Sequence, residues 1–584
     1  MHSSKEINRL VGLGVLAAFL SGCASAPPRT PDPLPQTFEE QRSAASGTLS
    51  GFLTRTGAPS IQAALVDSNG TLWSESRGVA QSGSNSPADS STVYRLASLS
   101  KVFTALAIYQ LAVQGKIDLD SGVGKVIPEF KVNCIGNQCA PITVRELLTH
   151  SSGLPRGEIF VWHPLSGKPL LEKLAQVRPV YPPATRFSYS NLGYALLGEI
   201  VARVSQKDFR TFVTEEILNP LGMHATGFAP LDTLIPNRAI GFSVPGMHPL
   251  VQPLSDAEGG MYSTLSDLTR FTAWLLAGAR LPIHGAPGVA MLDSLVAPFH
   301  PAMELPEDAF CGFGRMRINH GRRTPFKTGF MDGFASGIFL DVEKRVGVIA
   351  LTNRDRELDQ VGLAILNLFT GTGEAFTGLS KDSVSGFSRA NSVKELAAFE
   401  GDYILGIDYP VPIATLQKTS NGLQARFENK TIYSSGIDEG WARLRFTQKW
   451  DRQWLFFKNE YEVSTPRLGF FSKGAKRYIA RQDNTGVHIG AETPESGGEF
   501  LPDWEKRIGV WEDGSGYELE IFKQAGLIFF TDNRINRTWQ LEPVTANYAT
   551  AGGPSRIQGL NLDIQKDGSI DYRMGIHLNK RPAK

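Results

Sequence analysis

Two predicted hairpins far apart in the chain enclose a long helical stretch, and this arrangement is what most constrains the fold. Apolar and polar residues alternate over 59–78 around Asn69-Gly70, and 336–353 predict a second hairpin with a turn near Glu343-Lys344. Alternation of this kind predicts paired strands. The spacing of apolar residues predicts helices over 98–114, 144–148, 192–204, 266–277 and 358–369. Strands at both ends of a helical middle predict an α+β domain over 38–373, with one antiparallel sheet built from its two ends.

The pattern changes after residue 373. Residues 374–394 have the composition of a linker, and 395–584 consist of short β segments with turn signals, among them Asn421-Gly422, Asp451-Arg452 and Asp567-Gly568. A meander of short strands has to close to hide its edges. We therefore predict an all-β, lipocalin-like barrel region, formed by one unit or by two related ones. No polar cluster there indicates chemistry, which favours a packing or recognition module.

The first 23 residues are typical of an exported protein. A basic opening precedes an apolar run over 10–20, which is too short to span a membrane. The run ends in Leu-Ser-Gly-Cys, which resembles a bacterial lipobox and implies lipidation of Cys23; the alternative is a chance cysteine after a signal peptide. Residues 24–37 are rich in proline and predict a semi-rigid tether. Ala24, by resemblance to Gram-negative lipoproteins, favours the periplasmic side of the outer membrane.

The charge and cysteine content limit the kinds of binding partner that the sequence predicts. The chain has 59 Lys plus Arg against 58 Asp plus Glu, without long runs of either sign, so nothing points to a nucleic acid. Cys134 and Cys139 flank a turn-like tetrapeptide, and an oxidising compartment would favour a disulfide between them over two free thiols. No Cys/His spacing typical of zinc occurs. We expect no metal or cofactor, membrane contact only through the lipid, and an oligomeric state that the sequence leaves open.

Ser98 lies three residues before Lys101 at the start of the predicted helix 98–114. A serine hydroxyl reacts only when a base takes its proton and hydrogen-bond donors stabilise the developing oxyanion. Residues three apart on a helix share a face, so Lys101 is a candidate base. The Gly-x-Ser-x-Gly elbow of α/β-hydrolases does not occur in the chain.

Two further motifs follow in order, Tyr189-Ser190-Asn191 and Lys327-Thr328-Gly329. Together with Ser98-x-x-Lys101 they resemble the serine β-lactamase and penicillin-binding-protein family. Class A enzymes carry Ser-Asp-Asn where this chain has Tyr-Ser-Asn, so the chain looks most like the class C branch. Segments such as ITVRELLTHSSGLP and AEGGMYSTLSDLTRF extend the resemblance over roughly 61–353. The resemblance implies a β-lactamase/transpeptidase-like fold, an antiparallel sheet with a helical domain.

The resemblance also implies roles for the residues that match these motifs. Ser98 would be the acylated nucleophile, and Lys101 or Tyr189 would be the general base, a choice the sequence leaves open. Asn191 would bind Lys101 and the amide of the substrate.

On the third motif, Lys327 and Thr328 would face the carboxylate of the substrate, and Gly329 would line the site. The main-chain N–H groups of Ser98 and Phe330 would form the oxyanion hole. Phe330 is bulky where small residues are common in β-lactamases, and Ala184 stands where glycine is frequent.

Three functions are compatible with these motifs. We favour a serine hydrolase that forms an acyl-enzyme on Ser98 with a D-amino-acid peptide or a β-lactam amide, as D-alanyl carboxypeptidases and β-lactamases do. The second is a carboxylesterase of the same fold, against which the intact Lys-Thr-Gly counts, because a simple ester needs no partner for a carboxylate. The third is a non-catalytic, penicillin-binding-like cell-wall sensor, which the intact Ser98, Lys101, Tyr189 and Asn191 disfavour.

Overall fold

A computed structural model gives the architecture of the protein. It describes residues 37–81, 85–132, 140–156, 166–175, 177, 179, 182–184, 188–228, 237–242, 255–278, 291–296, 308–311, 314–319, 322–331, 333–354, 358–371, 388–389, 401–404, 413–419, 422–427, 430–438, 441–446, 467–473, 476–483, 486–492, 501–514, 517–524, 527–532, 537–545, 548–552, 561–564, 567, 569–572 and 576–581. The predicted signal peptide with Cys23, nearly all of the tether, Cys134 and Cys139 lie outside these residues.

Helices cluster in the first two thirds of the chain. Those of the described residues are α1 (Phe38–Thr56), α2 (Ser100–Val113), α3 (Val144–Leu148), α4 (Gly167–Leu174), α5 (Asn191–Ser205), α6 (Phe209–Val213), α7 (Asp256–Gly259), α8 (Leu265–Leu276), α9 (Met291–Val296), α10 (Asp359–Thr370) and α11 (Leu501–Glu505). Single turns of 3₁₀-helix occur at Ala97–Leu99 and Val123–Lys125, and a π-helical turn at Thr214–Leu218. None of the helices found in the described residues is long and apolar enough to cross a bilayer.

The described residues up to 352 also contain ten strands. They are β1 (Ser60–Asp67), β2 (Gly70–Gly78), β3 (Val93–Arg95), β4 (Gly227–Phe228), β5 (Met261–Thr264), β6 (Asp308–Cys311), β7 (Gly314–Asn319), β8 (Arg322–Met331), β9 (Phe334–Asp341) and β10 (Val346–Thr352). Seven of them form an antiparallel sheet in the order β2-β1-β10-β9-β8-β7-β6, and β3-β5-β4 form a small second sheet.

One pair of neighbouring strands in this sheet joins the two ends of the domain. β1 runs antiparallel to β10, with Ile61 opposite Thr352 and Asp67 opposite Val346. At one end of the pair, the backbone N–H of Ser60 donates to Asn353 Oδ1 at 2.8 Å, across 293 residues of sequence. The prediction of one antiparallel sheet built from both ends of an α+β domain is therefore confirmed.

Both faces of the sheet are covered, so there is a hydrophobic core on each side. Successive residues of β1 pack alternately into these two cores. Ala63 and Leu65 belong to the core that α1 and α10 cover, whereas Ala64 belongs to the larger core formed with the helical domain. Since side chains alternate across a strand, a strand covered on both sides is apolar throughout rather than alternating.

The five helices that the periodicity predicts all occur, four of them within one residue of their predicted bounds. The predicted 144–148 matches α3, and α5, α8 and α10 begin and end within one residue of their predicted bounds. The predicted 98–114 differs at its start, because Ala97–Leu99 form a 3₁₀ turn and the α-helix begins at Ser100. The sequence did not predict α1, whose buried face consists only of Ala45, Leu49 and Phe52.

The described residues after 371 are almost all in β-strands. These strands are β11 (Ser388–Arg389), β12 (Gly401–Ile404), β13 (Ile413–Thr419), β14 (Gly422–Phe427), β15 (Lys430–Asp438), β16 (Trp441–Phe446), β17 (Arg467–Lys473), β18 (Lys476–Asp483), β19 (Gly486–Glu492), β20 (Gly509–Glu512), β21 (Glu518–Gln524), β22 (Leu527–Asp532), β23 (Arg537–Thr545), β24 (Tyr548–Gly552), β25 (Asn561–Ile564), β26 (Ile570–Tyr572) and β27 (Ile576–Lys580).

These strands form two separate sheets. β11 to β19 make one sheet, in which a further pairing of β17 with β18 links the strands from β12 to β19 into a ring. β20 to β27 form a closed antiparallel barrel around an apolar core that includes the fully buried Trp504 of α11.

One predicted boundary needs correction. β11 lies inside the predicted linker 374–394, and Ser388 pairs with Ser472 of β17. The β region thus begins by residue 388 rather than at 395. A two-residue strand has no periodicity of its own, which is why composition assigned these residues to the linker.

Candidate active site

Ser98 lies in the 3₁₀ turn between β3 and α2. The backbone conformation of the preceding residue and the close approach of strand β8 fix its position. Ala97, just before it, has φ +47°, a conformation that costs energy in a residue with a Cβ. Strand β8 lies in close contact with the turn. A Cβ added to Gly329 would lie only 2.2 Å from the carbonyl oxygen of Leu96 and 2.7 Å from the nitrogen of Ser98. Gly329 is therefore required for this close approach, which brings β8 beside the half-buried Ser98.

Lys101 is buried in the first turn of α2, with 1% of its surface exposed. Its ammonium donates to the carbonyl oxygen of Glu258 at 2.7 Å, to Asn191 Oδ1 at 2.9 Å and to Ser98 Oγ at 3.4 Å. It also forms an ion pair with Glu258 Oε2 at 3.2 Å. A buried charge needs such partners, because removal from water is costly.

Tyr189 completes the contacts to the serine, and its hydroxyl donates to Ser98 Oγ at 2.9 Å. Helix α5 starts directly after it, where Ser190 accepts a hydrogen bond from the N–H of Gly193 and caps the helix. Burial opposes ionisation of the Tyr189 phenol, but the positive charges of Lys101 and Lys327 outweigh burial and lower its pKa from 10.0 to about 7. The phenol is therefore poised to exchange a proton near neutral pH.

Lys327 lies on β8, and its ammonium is 4.9 Å from the centre of the Tyr189 ring. Burial lowers the pKa of Lys327, a trend that Tyr189 opposes and Lys101 reinforces. The next residue, Thr328, pairs with Gly337 of β9, and Phe330 is 38% exposed at the end of the strand.

Two residues that the motifs do not include also contact Tyr189. The ring of His150 stacks on Tyr189 with centroids 4.4 Å apart, and its Nδ1 accepts from the N–H of Ser190 at 3.1 Å. Burial, reinforced by the neighbouring cations, lowers the pKa of His150 well below its ordinary value, so the imidazole is neutral. The guanidinium of Arg156 lies 5.1 Å from the centre of the Tyr189 ring.

The structure brings the three motifs into one site, with Ser98, Lys101, Tyr189, Asn191 and Lys327 joined by the contacts above. Sequence reasoning missed Glu258, His150 and Arg156. Glu258 lies in the segment AEGGMYST that supported the resemblance, but nothing in its spacing linked it to Lys101, 157 residues earlier. Among the described residues, no group of three or more His, Cys, Asp and Glu is arranged to hold a metal ion.

Comparison with known proteins places this site in a family. The family model described as Beta-lactamase matches residues 41–369, more than half of the chain. Protein flp of Staphylococcus aureus (strain NCTC 8325 / PS 47) is 28% identical over 291 residues, which cover 46% of this chain and 54% of that protein. Beta-lactamase-like protein 2 of Dictyostelium discoideum is 32% identical over 235 residues, which cover 38% of this chain and 43% of that protein. The chain thus spans about half the length of the curated relatives it matches.

A solved structure shares the fold. The octameric penicillin-binding protein homologue from Pyrococcus abyssi superimposes with a TM-score of 0.50 at 20% identity, covering 77% of this chain and 99% of its own. The matched family segment contains Ser98, Tyr189 and Lys327 together with the sheet and helices that position them. The chain belongs to the Beta-lactamase family.

Proposed function

We propose that the protein is a serine hydrolase that forms an acyl-enzyme on Ser98. The observation that carries this proposal is the position of Ser98 Oγ, 2.9 Å from Tyr189 Oη and 3.4 Å from Lys101 Nζ. A hydroxyl between a phenol of lowered pKa and an ammonium has both a proton acceptor and a stabilising charge. The Tyr-Ser-Asn motif supports a class C-like member of the family.

Tyr189 is the proposed general base, and Lys101 holds Ser98 and Asn191 in position. Two features support this choice: the cations near Tyr189 lower its pKa to about 7, and the Lys101 ammonium already donates to acceptors on Glu258 and Asn191. The phenolate of Tyr189 would accept the Ser98 proton across the same 2.9 Å.

In the proposed reaction, Ser98 Oγ attacks the substrate carbonyl carbon while its proton passes to the Tyr189 phenolate. The N–H groups of Ser98 and Phe330 stabilise the oxyanion of the tetrahedral intermediate. This intermediate collapses by breaking the bond to the leaving group, which takes the proton from Tyr189. Water then gives a proton to Tyr189 and attacks the acyl carbon. The second tetrahedral intermediate breaks its bond to Ser98 Oγ, which takes that proton from Tyr189, and the acid product leaves.

The proposed substrates are amides with a nearby carboxylate, namely D-amino-acid-containing peptides or β-lactams. Lys327 and Arg156 place two cations beside Tyr189, and an anionic group on the substrate would complement them. A carboxylesterase of the same fold is the alternative; it would make no use of Lys327 in recognition.

The test is covalent labelling of the purified protein with a fluorescent penicillin and with a fluorophosphonate. We expect one label per chain, and Ser98→Ala should abolish it, because losing the nucleophile of comparable hydrolases costs about 10⁴ to 10⁶ in rate. Ser266→Ala, which changes an exposed serine on α8, is the matched control and should label like wild type. Label that persists in Ser98→Ala would refute the nucleophile.

We further propose that Cys23 is lipidated and holds the protein at the periplasmic side of the outer membrane. The lipobox-like Leu-Ser-Gly-Cys and the following Pro-rich tether support this location. A membrane-tethered hydrolase at that place would meet cell-wall-like peptides as substrates. We also propose that the reaction needs no cofactor.

A further inference from the structure

Glu258 has a buried carboxylate that contacts the proposed catalytic residue Lys101. None of the three sequence motifs contains Glu258. It lies on the single turn α7, with 2% of its surface exposed, and its Oε2 is 3.2 Å from Lys101 Nζ. Its main-chain carbonyl oxygen accepts from the same ammonium at 2.7 Å. Glu258 therefore contacts the Lys101 ammonium twice, with its charged side chain and with the dipole of its main-chain carbonyl.

The position of Glu258 is fixed by the same elements that hold the serine. Thr104 of α2 donates to the carbonyl oxygen of Ala257 at 2.6 Å, and Ser100 accepts from the N–H of Met261 at 3.1 Å. Residues 257–261 are thus attached to α2 along the turn that carries Lys101. The pairing of Lys101 with Glu258 is built into the fold rather than formed by a mobile surface chain.

The charges around Lys101 show why a carboxylate matters there. Among the described residues, the titratable groups that face or neighbour its ammonium are Glu258 on α7, Tyr189 before α5, Tyr194 on α5, Lys327 on β8, and His150 and Arg156 beyond the Tyr189 ring. Apart from Glu258 and the phenolate form of Tyr189, the charged members of this set are cations. Without the carboxylate of Glu258, the ammonium of Lys101 would lie buried near two other positive charges, and the surroundings of Tyr189 would be more positive.

We propose that Glu258 is a positioning residue of the active site: its carboxylate holds Lys101 in place and offsets the positive charge around Tyr189, and so sets the pH range in which Ser98 reacts. This inference rests on the proposed function, because it acts through Lys101 on Ser98 and Tyr189. The contribution is electrostatic, since a neutral side chain of the same shape could still accept a hydrogen bond from Lys101.

The test is the rate of fluorophosphonate labelling from pH 5 to 10 for wild type and Glu258→Gln. Loss of one negative charge makes the site more positive, so Tyr189 should lose its proton at lower pH, by about 1 to 3 pH units for a charge this close. The ratio of the rate at pH 5.5 to that at pH 7.5 should rise about 5- to 25-fold for a fall of 1 to 3 units in the pKa of Tyr189. The maximal rate should fall, because Lys101 is then held less firmly beside Ser98.

Two further variants distinguish an effect of the Glu258 charge from an effect of side-chain packing. Glu258→Asp keeps the charge, so its profile should stay near that of wild type while its rate falls, and it serves as the test if Glu258→Gln does not fold. Glu199→Gln removes a buried carboxylate of α5 that pairs with Arg203, and should leave the profile unchanged.

The outcomes are distinct. Absence of label on wild type would refute the proposed function itself. Label on wild type with the same pH profile in a folded Glu258→Gln, or a profile that moves in Glu258→Asp, would overturn the role of Glu258.

Discussion

Replacing Lys327 by methionine should move the pH dependence of the reaction upward. The ammonium of Lys327 lies 4.9 Å from the centre of the Tyr189 ring and stabilises its phenolate form. Methionine keeps most of the length and apolar surface of the lysine stem but removes the charge. The pKa of Tyr189 should therefore rise, and the fraction of Tyr189 that can accept the Ser98 proton at neutral pH should fall.

The size of the change follows from the distance between the two groups. At 4.9 Å, Coulomb's law gives about 3.4 kcal/mol with an effective dielectric constant of about 20 and about 0.8 kcal/mol in bulk water, equivalent to about 2.5 and 0.6 pH units. Lys327 is half-buried, so we expect a rise of about 1 to 2 pH units. From a pKa of about 7, a rise of 1.5 units leaves about 3% phenolate at pH 7 instead of half, a loss of about 15-fold.

Fluorophosphonate labelling measured from pH 5 to 11 tests this expectation, since the small probe needs no carboxylate. The rate for Lys327→Met should be about 15-fold below that of wild type at pH 7 and return to within about twofold at pH 10. Lys327→Arg keeps the charge and should retain the wild-type profile, as should Lys116→Met at an exposed position. An equal loss at every pH would refute the electrostatic argument and leave Lys327 a purely structural role.

Three further predictions concern the substrate, the backbone and the location. Lys327→Ala should remove most of a preference for a free carboxylate over its methyl ester, about ten- to a hundredfold in kcat/KM, and equal losses on both substrates would contradict carboxylate recognition. Gly329→Ala should displace β8 from Ser98, with about 1 to 3 kcal/mol lost in the free energy of unfolding and little labelling; a normal Tm and labelling rate would contradict the close approach. Wild type should partition with membranes into detergent, whereas Cys23→Ser should stay uncleaved or soluble; a soluble wild type would contradict lipidation.

The sequence predicted the parts of the fold that have a strong local signal. The hairpin turns at Asn69-Gly70 and Glu343-Lys344 and the helix 144–148 lie where predicted, because turn chemistry and apolar spacing act over a few residues. Helix α1 was missed because its buried face is small and its composition is rich in Ser, Thr and Gly. Its Thr37-x-x-Glu40 capping box was a signal that could have found it.

The site was predictable where it carries motifs and unpredictable where it depends on the tertiary structure. Ser98, Tyr189 and Lys327 belong to recognisable short motifs. The order of these motifs along the chain was enough to predict that the three residues share one site. Glu258 and His150 reach the site through packing between distant elements, and a lone Glu or His in a sequence is most often an ordinary structural residue. Contacts of this kind require the fold to be known first.

The pairing of β1 with β10 has a consequence for how the chain reaches its native state. The first strand of the sheet cannot pair with β10 until residues 346–352 have been made, so the domain cannot be completed during most of its synthesis. Closing so long a loop is slow, and pairings of this separation delay folding. A chain that stops before residue 346 leaves one edge of an apolar strand uncovered, and we expect such fragments to aggregate or be degraded. Premature termination before this strand would therefore yield no folded form of the domain.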